Sequence, residues 1–155
     1  MKITVLVVGR VKGPLVAAIE DYEERAGHYW KLQVVEVEAG GPGSSASADA
    51  VRAAEEERLL ARAGASVEIV ALTRAGQPMG SRPFASYLQD HALHARDLAF
   101  VIGGAHGLGP GVLRRARQLT LSAMTFPHEV ARLVLAEQLY RAGTILRGEP
   151  YHKGP

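Results

Sequence analysis

Three segments gather residues able to do chemistry. The apolar run LAFVI ends in GGAHGLGP, residues 103–110. Glycine there permits positive φ and close approach of backbone to a ligand, and it equally makes an ordinary structural turn. The spacing is neither G-x-G-x-x-G nor a G-K-[ST] loop, and GRVKG (9–13) also misses the dinucleotide pattern. Neither usual phosphate cradle is present. The second segment is LSAMTFPHEVAR, residues 121–132. His128 and Arg132 stand four apart, on one face of a helix. They suit RNA phosphate or a terminal carboxylate, while His128 equally suits a plain helix start. The third is the tail RGEPYHKGP, residues 147–155, where Arg147, Tyr151, His152 and Lys153 crowd together. Tyr and His beside cations suit stacking and phosphate contact on single-stranded RNA; a docked tail with a charged tip is the plainer alternative.

Other chemistries find little support. The chain has no cysteine, which excludes disulfides, thiolate–zinc sites and a cysteine nucleophile. His91 and His94 lie three apart on an expected helix without metal-ligand spacing around them, so they read as surface residues and no metal is expected. There is no G-x-S-x-G elbow and no carboxylate pair at the expected ligand loops. The net charge is only +2. Residues 1–75 hold nine Lys/Arg against eleven Asp/Glu, whereas residues 76–155 hold nine against five, with five of the six histidines. That split points weakly to an anionic partner on one face.

The elements that must position these residues alternate. Strands are expected over 2–9, 32–38, 67–72, 98–104 and 119–126. Helices are expected from Pro14 to about Ala26, and over about 48–63, 81–94, 110–118 and 128–146. The AGGPGSSASAD segment (39–49) reads as a flexible loop, free or contacting substrate. The alternation implies a single α/β domain over 1–155, a mostly parallel sheet with helices on both faces. Ligands of such sheets bind beyond the strands' carboxyl ends, where the first two segments fall. No apolar run approaches the roughly 20 residues that cross a bilayer. MKITVLVVGR reads as a strand rather than a signal peptide, so a cytoplasmic protein is expected.

MKITVLVVGRVK, VIGGAHGL and above all SAMTFPHEVARLVLAEQLYRAGTILRGEPYHK resemble the ribosomal RNA large subunit methyltransferase H family, of the knotted SPOUT class. The resemblance spans the chain, with Gly154 and Pro155 added after the usual end. It implies a C-terminal deep trefoil knot, which no topology rule would suggest, and a homodimer. Val130, Leu133, Val134, Leu135 and Leu139 on the last helix suit a dimer face or simple core burial. The implied reaction is methyl transfer from S-adenosyl-L-methionine to N3 of a pseudouridine in helix 69 of 23S rRNA, in the assembled 70S ribosome. The implied cofactor site is Leu72, Gly103, Leu121, Ser122, Ala123, Met124, Thr125 and Phe126. Catalytic candidates are Tyr151, His152, His128 and Arg132, with Arg141 and Lys153 as further cations. Arg132 and Arg141 are expected on RNA phosphate or the tail, and the tail is expected to reach the partner subunit's cleft. Two rivals remain. One is a nucleotide- or dinucleotide-binding enzyme with Glu36 or Glu38 on the cofactor ribose; the other is a non-catalytic ribosome-binding or assembly factor on the same fold.

Overall fold

The computed structural model describes residues 1–155. Five strands form one parallel sheet in the order β2-β1-β4-β3-β5. They are β1 (Lys2–Val8), β2 (Lys31–Val37), β3 (Glu68–Pro78), β4 (Leu98–Ile102) and β5 (Arg117–Thr120). Five helices connect and cover them: α1 (Val16–Gly27), α2 (Ala48–Ala63), α3 (Ser81–Leu93), α4 (Pro110–Arg115) and α5 (His128–Leu146). The central strands are β-branched and apolar because both faces are covered. All five residues of β4 are buried. One core joins Ile3, Val5, Phe84, Leu88, Phe100, Leu135 and Leu139 beneath α1, α3 and α5. The other joins Leu6, Val8, Leu59, Val101 and Val112 beneath α2 and α4. No helix is long and apolar enough to cross a membrane.

The sequence places the last helix correctly and misplaces the elements just before it. The strand expected over 119–126 ends at Thr120. Local side-chain bonds replace the ladder there: Thr120 Oγ1 accepts from Ser122 N–H at 3.1 Å, and Ser122 Oγ accepts from Met124 N–H at 3.0 Å. Helix α4 stops at Arg115 because the chain from Arg117 joins the sheet. β3 runs beyond the expected Leu72 to Pro78 through an irregularity. Leu119 pairs with both Leu72 and Gln77, so residues 73–76 bow out of the ladder. His91, read as a surface residue, is buried. Its Nε2 lies 2.9 Å from Glu68 Oε2 and its Nδ1 2.9 Å from the Tyr87 carbonyl, while Tyr87 O–H donates to Glu68 Oε1 at 2.7 Å. Burial alone would raise the Glu68 pKa; the bonds from His91 and Tyr87 outweigh it and lower it. Periodicity hid this tie because the carboxylate that satisfies His91 is distant in sequence.

The β3–β5 contact leaves no room at Gly76. A Cβ there would stand 2.4 Å from the Leu119 carbonyl carbon and 2.7 Å from the Leu119 and Thr120 nitrogens. These are backbone atoms that cannot rotate aside. Gly76→Ala is therefore expected to destabilise the fold by about 1–3 kcal/mol or more, as overpacking does. Urea unfolding reads this directly, and an unchanged midpoint would show that the strands separate freely.

Candidate functional site: a cleft at the carboxyl end of the sheet

The carboxyl ends of β3, β4 and β5 open into a cleft of about 910 Å³. Its walls are three loops. The bowed segment supplies Leu72 to Ala75, the glycine segment Ile102 to Leu108, and the segment before α5 supplies Leu121, Ser122, Met124, Thr125, Phe126, Pro127 and His128. Seven of the eight expected cofactor residues therefore meet around one space: Leu72, Gly103, Leu121, Ser122, Met124, Thr125 and Phe126. Ala123 rides on the same loop, exposed and off the wall. Neither Glu36 nor Glu38 lines the cleft, which removes the support for a ribose-binding carboxylate. No group of three or more His, Cys, Asp or Glu is gathered to hold a metal.

The catalytic candidates are scattered. His128 lies on the cleft wall, with Nε2 enclosed beside Gly9 and lacking a partner. Its Nδ1 is 3.4 Å from Glu129 Oε2. It does not cap α5, whose N-cap is Pro127. Tyr151 and His152 do not line the cleft of their own chain. Tyr151 lies against Tyr140, ring centroids 4.6 Å apart, beneath the Arg141 guanidinium. Its O–H donates to Glu137 Oε1 at 3.0 Å. Burial, then hydrogen bonds with Tyr22 and Glu137, push the Tyr151 phenol up, so it remains a donor. Arg141 Nη1–H donates to His152 Nδ1 at 3.1 Å. That leaves the ring proton on Nε2, which is buried without a partner. Arg141 thus meets the tail as expected; Glu137 also holds it, with Nη2 2.5 Å from Oε1.

Arg132 departs from its expected place. It is buried, and its fork closes on two carboxylates from other elements. Nε and Nη2 donate to Glu23 at 2.6 and 3.1 Å, and Nη1 donates to Glu36 at 2.8 Å. Burial works to lower its pKa, but the bonds to Glu23 and Glu36 outweigh it and raise it. The guanidinium ties α5 to α1 and β2. The reason is geometric: the helix face shared with His128 turns toward the sheet one turn later.

Several supporting residues had no separate sequence signal. Arg74 and His106 stand exposed on opposite loops of the cleft. Behind the glycine loop, α2 acts as a frame. Arg52 Nη1 donates to the His106 carbonyl at 3.2 Å, and Glu56 Oε2 accepts from Val112 N–H at 2.8 Å. Glu55 is buried against Gly104. Its position was legible as a carboxylate on the stripe of Val51 and Leu59, four residues from each.

Removing Arg132 strands the Glu23 carboxylate and leaves Glu36 only the more distant Arg10, 3.9 Å away. Arg132→Ala is expected to lower stability by on the order of 3 kcal/mol, as buried ion pairs broken on one side do. Denaturant midpoints check this. Unchanged stability together with lost activity would instead return Arg132 to the substrate.

The cleft suits a ligand without phosphates. It offers small residues, apolar side chains and backbone groups, and its glycines have neither P-loop nor dinucleotide spacing. The family model described as "Predicted SPOUT methyltransferase" matches residues 1–152. A protein of Gemmatimonas aurantiaca named ribosomal RNA large subunit methyltransferase H is 57% identical over 155 residues, covering 99% of this chain and 100% of its own. A protein of the same name from Anaeromyxobacter is 48% identical over 156 residues, with the same coverage. Among solved structures, a methylase family protein from Haemophilus influenzae matches with a TM-score of 0.55 at 10% identity, over 98% of this chain and 70% of its own. One from Neisseria gonorrhoeae matches at 0.53 and 16%, over 99% and 87%. At those identities the structures speak for the fold alone. The long, specific α5–tail sequence and the relatives agree: this chain is a member of the SPOUT methyltransferases and belongs to the ribosomal RNA large subunit methyltransferase H family.

Proposed function

We propose that the protein methylates large-subunit ribosomal RNA with S-adenosyl-L-methionine, at N3 of a pseudouridine in helix 69 of 23S rRNA within the 70S ribosome. The observation that carries the reading is the convergence of three segments on one cleft without a phosphate-loop glycine motif. The names of the full-length relatives support the substrate class. S-adenosyl-L-methionine, when bound, supplies an activated methyl group on its sulfonium. Leu72, Leu121 and Phe126 would give the adenosine an apolar bed, and the Gly103 backbone would approach it closely. The residues' main task is alignment of the attacking nitrogen with that methyl group.

Two further features belong to this reading. A homodimer is supported by α5: Leu135 and Leu139 enter the core, whereas Val130, Leu133 and Val134 are only partly covered. A knot is supported by the tight passage of β5 against Gly76, inside the bowed segment of β3. The tail lies off its own cleft, which favours delivery of Tyr151 and His152 to the partner's cleft. With Nδ1 taken by Arg141, His152 keeps its ring proton on Nε2, which is enclosed in the single chain and has to be uncovered to reach a carbonyl of the base. Of the catalytic candidates His128 alone lines the cleft, and on that position it is assigned the N3 proton. The work takes place in the cytoplasm, where ribosomes are.

Mass spectrometry of helix 69 after incubation with 70S ribosomes and the methyl donor tests substrate and position together. One added methyl at N3 of a pseudouridine is expected, with poor activity on free 23S rRNA because so small a net charge gives little phosphate affinity. Methylation elsewhere, or equal activity on naked RNA, would contradict the reading. Deleting residues 150–155 should abolish methylation while leaving cofactor affinity and dimerisation intact. Full activity of the truncated protein would remove the tail from the mechanism.

A further inference from the structure

Helix α2 is rich in charged residues, yet Glu55 is only 3% exposed. Its Oε1 accepts from Gly40 N–H at 2.9 Å. Its Oε2, equally enclosed, has no hydrogen-bond partner. Arg58, one turn further, forms no ion pair with it; Nη1 donates to the carbonyls of Glu38 and Gly40. None of the chain's ion pairs includes Glu55. A buried carboxylate left in this state is costly unless something outside its own helix compensates it.

The carboxylate faces the back of the cleft wall. A Cβ on Gly104 would stand 3.0 Å from Oε2 and 3.1 Å from Oε1, and Gly104 lines the cleft. Because residue 104 has no side chain, a single thickness of backbone separates the charge from the ligand space. Gly104 is thus required on both sides: its would-be Cβ also meets Val8 Cγ1 at 2.9 Å.

We propose that Glu55 is a selectivity residue for the charge of the ligand, favouring a cation in the cleft over a neutral molecule of the same shape. This rests on the reading of the cleft as the S-adenosyl-L-methionine site. The methyl donor carries a sulfonium cation. When the methyl carbon bonds to the ring nitrogen, its bond to sulfur breaks and the electron pair returns to sulfur. The product is the neutral thioether S-adenosylhomocysteine, and the nitrogen's proton leaves separately. In its ionised form the Glu55 carboxylate behind Gly104 attracts the cationic donor and loses its hold on the neutral product. Across a few ångströms of protein the preference is on the order of tenfold in dissociation constant. Glu55 touches backbone and not the reacting atoms, so it positions and selects rather than reacts.

Isothermal titration of the full chain with S-adenosyl-L-methionine, S-adenosylhomocysteine and sinefungin tests this. Sinefungin carries an ammonium-bearing carbon in place of the sulfonium, so it is a stable cationic probe. The wild type should bind both cations on the order of tenfold more tightly than the thioether. Glu55→Gln keeps the acceptor for Gly40 and the side-chain shape but removes the charge, so the ratio should fall toward one. A purely structural role would weaken all three ligands alike and preserve the ratio, which overturns the proposal. Equal affinities in the wild type overturn it without any variant, so the test survives a Glu55→Gln protein that fails to fold. Binding of none of the three by the wild type would instead defeat the cofactor reading, and this proposal with it.

Discussion

The backbone of Leu119 and Thr120 passes Gly76 with no space for a methyl group, and much of the architecture follows from that passage. β5 meets β3 on both sides of residues 73–76, so that segment has to bow away from the sheet. The bow forms one wall of the cleft. The same passage ends β5 at Thr120 and releases the chain into the loop of 121–127, a second wall. β4, the strand beside β3, supplies the third wall where its buried apolar run gives way to glycine. One close approach of two strands thus sets two of the three walls around a single space.

Charge plays a different part from the one composition suggests. The surplus of cations beyond residue 75 looks like an RNA-facing surface, but many of those arginines are committed within the chain. Arg96 pairs with Asp90, Arg132 with Glu23 and Glu36, and Arg141 with Glu137. Arg115 donates to the carbonyls of Gly64 and Ala65, and Arg117 lies over the Tyr87 ring. Their first effect is to fasten helices to strands and the tail to α5. The acidic first half does corresponding work from α2, whose Glu55 and Glu56 stand behind the glycine loop and the start of α4.

The α/β class, the parallel sheet, and helices on both faces were legible because buried parallel strands leave continuous apolar runs and α5 carries a long helical pattern. The residues expected at the cofactor came only from the family resemblance, although chain order already put two of the loops at strand ends. What stayed hidden depends on partners distant in sequence. Arg132 reads like an RNA contact until Glu23 and Glu36 arrive beside it, and His91 reads as exposed until Glu68 does. The bow of β3 was also hidden, since it is imposed by β5, some forty residues later along the chain. Glu55 was the partial exception, a carboxylate on an apolar stripe with no local reason to be there.

Hydrogen–deuterium exchange with and without S-adenosylhomocysteine reaches the central claim most directly, because it reports all three loops at once. The account predicts slower exchange on binding in 72–76, 103–108 and 121–128, with the amino ends of the strands unchanged. Protection confined to another part of the molecule, such as the groove of Met79, Ser81 and Gln138 between α3 and α5, or no protection at saturating ligand, would contradict it.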